Sequence, residues 1–98
     1  MPKTMPADQK IAEMIGELKG RFARWSEIKN NGAKDPFWTD GVNINIVRNH
    51  ILYYRKEIEQ LSVGLLFPPD DPILNEPVPP EMPNEWMAKP RHMAVQHF

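Results

Sequence analysis

Ile11, Met14, Ile15, Leu18, Phe22, Trp25 and Ile28 recur at spacings of three and four along the N-terminal third of the chain. That period puts them on one stripe of an α-helix, with Lys10, Glu13, Glu17, Arg21 and Arg24 off it. Thr4 or Asp8 can cap the start, Pro6 is tolerated in a first turn, and Asn30, Asn31 and Gly32 supply a stop. Gly16 and Gly20, four apart, weaken the helix by about 1 kcal/mol each relative to alanine, unless they admit a second backbone. A second stripe, Ile44, Val47, Ile51, Tyr54, Ile58 and Leu61, predicts a second helix with a matching seam. Asp40 is its expected N-cap and residues 62–64 its end. Between the two, Asp35-Pro36 followed by Phe37-Trp38 reads as a turn that folds two aromatic rings onto the helix pair.

The second helix carries apolar residues off its seam. At about 100° per residue, Ile46 and Tyr53 point roughly opposite the main stripe and Leu52 to a third side. A cover on that second face is expected, either the tail or another copy of the chain. The tail, from Leu65 onward, contains Pro68, Pro69, Pro72, Pro77, Pro79, Pro80, Pro83 and Pro90, which excludes helix or sheet over most of its length and favours extended polyproline geometry. It is nevertheless rich in large apolar anchors: Leu65, Leu66, Phe67, Ile73, Leu74, Val78, Met82, Trp86, Met87, Met93 and Phe98. Disordered segments are poor in such residues, so the tail is expected to wrap along the hairpin or a neighbour, with one helical turn over residues 84–89. The fold class predicted is all-α: an antiparallel two-helix hairpin, residues 1–64, with an extended proline-rich C-terminal tail, residues 65–98.

A chain of 98 residues makes one domain with a small core, and without disulfides it invites self-association. Homo-oligomers are therefore expected. The absence of cysteine excludes thiolate zinc sites and cysteine nucleophiles and fits a reducing compartment. No signal-peptide pattern and no bilayer-length apolar run is present, so a cytoplasmic, membrane-free protein is expected. Twelve basic and thirteen acidic residues, for a net charge of −1, are interleaved. That balance argues against a nucleic-acid coat, which needs a basic stripe to displace counterions; one small anion needs only two or three cations.

The densest polar-aromatic stretch is Phe37-Trp38-Thr39-Asp40-Gly41-Val42-Asn43-Ile44-Asn45-Ile46-Val47-Arg48-Asn49-His50, continuing to Tyr53, Tyr54 and Arg55. Three asparagines within seven helical residues are not there for helix propensity. Asn43, His50 and Glu57 follow one edge of the apolar stripe, and Arg48, Arg55 and Glu59 the other; Asn45, Asn49, Lys56 and Gln60 look outward. Asn43 and Asn45 also lie in the first turn, where unpartnered N–H groups attract anions. Amides, an arginine fork, an imidazole and rings are the parts of a nucleotide pocket, and the candidate ligand-binding set is Trp38, Asn43, Asn45, Arg48, Asn49, His50 and Tyr53. The plainer reading stands beside it: Asn43 and His50 as satisfied groups at the helix boundary, Asp40 as a cap, Trp38 in the core, and Arg48 and Arg55 paired with Glu57, Glu59 or acids of the first helix. Catalysis finds no support, since there is no triad order, phosphate loop or dinucleotide fingerprint. The Arg48-Asn49-His50 run lacks a second histidine nearby, and His92 and His97 are loosely spaced for zinc. No cofactor and no metal are expected.

The block from Trp38 through Ile51, with Tyr53-Tyr54, resembles one found in small uncharacterised bacteriophage and prophage proteins. The piece Pro79-Pro80-Glu81-Met82-Pro83-Asn84-Glu85-Trp86-Met87-Ala88-Lys89 resembles their proline-then-"YMA" ending, with Trp86 in place of the usual tyrosine. About half the chain is covered. The resemblance implies a viral accessory role in the host cytoplasm, such as neutralising a host defence. Two functions follow as expectations: sequestration, without bond cleavage, of a small anionic nucleotide-like ligand, or a protein-binding inhibitor or adaptor acting on a host or phage protein.

Overall fold

A computed structural model describes residues 7–83, 85 and 86. Two helices, α1 (Ala7–Asn31) and α2 (Asp40–Ser62), pack antiparallel along their apolar stripes, and a 3₁₀ turn, Pro72–Asn75, interrupts the tail that follows. The described residues contain no strand. Ile11, Leu18 and Ile28 from α1 meet Ile44, Val47, Ile51 and Ile58 from α2 in the core, flanked by half-buried Met14, Ile15, Phe22, Trp25, Tyr54 and Leu61. Both predicted seams are thus the packing faces, each fully buried aliphatic side chain contributing roughly 1.5–3 kcal/mol. Gly16 and Gly20 are exposed, and a Cβ at either would meet nothing within 4 Å; they admit no second backbone of this chain. Neither helix is long and apolar enough to cross a membrane.

The helix ends follow local chemistry. Gly32, at φ 87°, closes α1 by donating its N–H to the Ile28 carbonyl at 2.9 Å, a left-handed cap that favours glycine. At the start of α2 the structure departs from expectation: Thr39 is the N-cap, its Oγ accepting from the Val42 N–H at 3.1 Å. Asp40 is the first helical residue, fully buried, and its Oδ1 accepts the Ala33 N–H at 3.0 Å. The hydroxyl does the capping because the carboxylate is turned inward to tie the end of α1 to the start of α2. Gly64, at φ 80°, turns the chain out of α2. Of the first helix's suggested caps, Thr4 lies outside the described residues, as does Pro6 of the expected first turn, and Asp8 sits within α1. Of the turn expected at residues 84–89, Glu85 and Trp86 are described, both helical. Met87, Pro90, His92, Met93, His97 and Phe98 lie outside the described residues.

The tail runs back along α2. Arg55 Nη1 donates to the Glu76 carbonyl at 2.7 Å, Arg48 Nε to the Pro79 carbonyl at 2.8 Å, and the Met82 N–H to Asn45 Oδ1 at 3.2 Å. Descending α2 from residue 55 to 45 covers roughly 15 Å at helical rise. Six extended residues, 76 to 82, cover roughly 19 Å, so the two ladders keep pace. Leu65, Ile73, Leu74, Val78 and Met82 pack half-buried against the core, and Trp86 enters it at 8% exposure. Lys19 of α1 holds Asp71 at 3.0 Å, beside the 3₁₀ turn. The Asp71 carboxylate lies below its ordinary pKa because it accepts the Ile73 N–H, with Lys19 adding to the effect.

Candidate functional site

The seven candidate ligand residues do not converge on a cavity. Six of them fall into three groups on different sides of α2, and His50 stands apart.

The first group shapes the bend. Asp35 Oδ1 accepts the N–H groups of Phe37 at 2.9 Å and Trp38 at 3.4 Å, an Asx turn of the kind aspartate forms two residues ahead. The Asn43 side-chain amide donates back to the Thr39 carbonyl at 3.0 Å and reaches Asp35 Oδ2 at 3.3 Å and the Trp38 carbonyl at 3.4 Å. With two hydrogens and three acceptors, it shares rather than spares its donors. Lys34 takes a positive φ of 59° to enter this turn. The rings are therefore not folded onto the helices as the sequence led one to expect: Phe37 is 85% and Trp38 61% exposed. Asp35 gathers their N–H groups on the inside of the turn, which leaves the side chains outside.

Those backbone bonds, foremost the one from Phe37, hold the Asp35 carboxyl below its ordinary pKa of 3.8. A depressed folded pKa means that the turn's stabilisation is present above 3.8 and is lost as pH falls through the lower, folded value. Below pH 3.8 the Phe37 and Trp38 amide resonances are expected to titrate together with the Asp35 carboxyl. An Asp35→Ala variant should show neither shift, and a wild-type Asp35 titrating at or above 3.8 would refute the turn.

The second group faces the tail. Arg48 and Asn45 bind backbone groups of Pro79 and Met82, as described above, and not the carboxylates of Glu57, Glu59 or α1. The reason lies in the tail itself: extended proline-rich chain leaves its carbonyls and N–H groups without intrasegment partners, and α2 supplies a donor in Arg48 and an acceptor in Asn45. The third group is exposed. Asn49 and Tyr53 lie with Ile46 on the outer face of α2, Tyr53 in edge-to-face contact with Tyr54 at 5.3 Å between ring centres. The described tail leaves Ile46 and Tyr53 uncovered. His50 sits on the remaining edge, its Nδ1 buried without a hydrogen-bond partner among the described residues.

A cleft of about 500 Å³ does open beside α2, at its C-terminal half, lined by Leu52, Ile58, Pro68, Pro69, Leu74 and Val78 with Arg55, Lys56, Glu59 and Ser62 at its edges. None of the seven candidates lines it. Among the described residues no group of three His, Cys, Asp or Glu side chains could hold a metal ion. Sequence reasoning placed Asp35 in the turn but missed its hold on the Phe37 and Trp38 N–H groups and the outward presentation of Phe37; the available signal was an aspartate two positions before the first ring. Compared with protein-family models, curated proteins and solved structures, the chain has no match.

Proposed function

We propose that the chain is a non-catalytic protein-binding module, the inhibitor or adaptor of the two expected functions, and that it docks through its bend with Phe37 and Trp38 as anchors. One observation carries this reading: two large aromatic side chains stand in solvent on a loop whose backbone is fixed by Asp35 and Asn43. Aromatic anchors dominate interface energetics, and a loop already ordered before binding avoids most of the entropy of being fixed on contact. Exposed Lys34 beside the rings favours a partner with an apolar pocket and an acidic rim. The nucleotide reading loses ground, since Asn43 and Arg48 donate to the chain's own backbone carbonyls and Asn45 accepts the Met82 N–H.

The test compares capture of bacterial proteins by the immobilised full chain with capture by two variants. The double variant Phe37→Ala/Trp38→Ala is expected to lose a stoichiometric partner by about tenfold or more. Asn49→Ala should retain it. A panel of nucleotides should leave the melting temperature unchanged. A rise at saturating nucleotide, abolished by Asn49→Ala, would replace this reading with sequestration.

A further inference from the structure

At the opposite end of α2 from the bend, the loop that leaves the helix presents Leu66 at 84% and Phe67 at 86% exposure. The next two residues, Pro68 and Pro69, form one lip of the cleft whose floor is Leu52, Ile58, Leu74 and Val78. An apolar knob thus adjoins, one residue along the chain, the lip of an apolar hole. The knob does not fill its own hole: consecutive prolines hold φ near −65° and stiffen the lip between them. Arg55, tied to the Glu76 carbonyl at 2.7 Å, fixes the facing wall. The cleft has room for both side chains.

From this arrangement we infer that the cleft is filled by Leu66 and Phe67 of a second copy of the chain, in a two-fold symmetric dimer. Two-fold interfaces require a self-complementary patch, in which what one copy inserts the other receives. Knob beside hole satisfies that condition in shape. The rim satisfies it in charge: Lys56 and Glu59, both exposed and outside any ion pair among the described residues, lie one turn apart. A two-fold axis passing between the two positions would set each lysine opposite the partner copy's glutamate. A foreign acidic or basic protein would meet one of them with like charge. Phe37 and Trp38 are roughly 30 Å away along α2, so the bend and this cleft are separate surfaces that can be tested independently. The interface rests on fewer residues than the 20–30 a side of a standard interface, so the dimer forms in a concentration-dependent way.

The experiment is sedimentation equilibrium of the full chain over a wide concentration range, with far-UV circular dichroism to verify the fold of each variant. The expected result is a mass rising from 11.4 kDa to a plateau at twice that value. Phe67→Ser and Leu66→Ser, at solvent-exposed loop positions, and Val78→Glu, in the cleft, should each raise the dissociation constant by about tenfold or more. Phe37→Ala/Trp38→Ala should leave it unchanged, which separates this contact from the docking proposed at the bend. A monomer at every concentration, a mass that climbs without a plateau, or a dimer insensitive to Leu66→Ser and Phe67→Ser would each overturn the inference.

Discussion

Trp86→Ala is expected to destabilise the protein by about 3–5 kcal/mol, the range for truncating a large buried aromatic, although the residue lies in a proline-rich tail far from either helix in sequence. Trp86 joins the same cluster as Ile28, Ile44 and Ile51, just beyond the point where Met82 reaches Asn45. Its loss removes apolar burial and leaves a cavity that the helix pair cannot fully close. Against the marginal stability typical of one small domain, a loss of that size is a large share of the total. Urea unfolding followed by circular dichroism measures it, and Trp86→Phe should recover a substantial part. A midpoint unmoved by Trp86→Ala would mean that the tail is no part of the folded unit.

The second large effect is at Asp40. Had it been only the N-cap, replacing it by alanine would cost about 1 kcal/mol, the value expected for Thr39→Ala. Because the carboxylate is fully buried and accepts the Ala33 N–H, Asp40→Ala strands a donor inside the bend and should cost about 2–3 kcal/mol. For a chain of this size that lowers the melting temperature by on the order of 10 °C. Asp40→Asn keeps an acceptor oxygen in place and should lose less than half as much. Equal melting temperatures for Asp40→Ala and Thr39→Ala would restore the plain capping role.

Those two residues also mark where the sequence was legible. The seams of α1 and α2 could be read because burial on one face of a helix imposes a period, and Leu18 or Ile51 can occupy its position in only one way. The stop at Gly32 was legible for a similar reason, since few residues tolerate its backbone angle. Asp35, Thr39, Asp40 and Asn43 were not, because four short polar side chains within nine positions compete for the same few backbone groups. Which one caps and which one braces is decided by the path of the loop in three dimensions. Phe37 and Trp38 were misplaced as a consequence: hydrophobicity alone sent them inward, whereas the Asp35 turn holds them out.

Asn45 and Arg48 were misread for a different reason. Their types and spacing do fit the recognition of an anion, yet a proline-rich segment docked in cis presents carbonyls and an N–H that ask for the same side chains, Arg48 donating to Pro79 and Asn45 accepting from Met82. Periodicity shows which residues face away from the core; it does not show what returns from more than thirty residues downstream to meet them. The large apolar anchors of the tail were the visible half of that arrangement, and the polar edge of α2 is its counterpart.

Amide hydrogen exchange at Met82 tests most directly whether this edge grips the tail. Extended polyproline chain has no internal hydrogen bonds to slow exchange, and the acceptor for this N–H is the side chain of Asn45. Exchange slowed by about tenfold or more relative to the free-peptide rate, and returned to that rate by Asn45→Ala, is the predicted result. A Met82 amide exchanging at the free-peptide rate in the unaltered protein would contradict it.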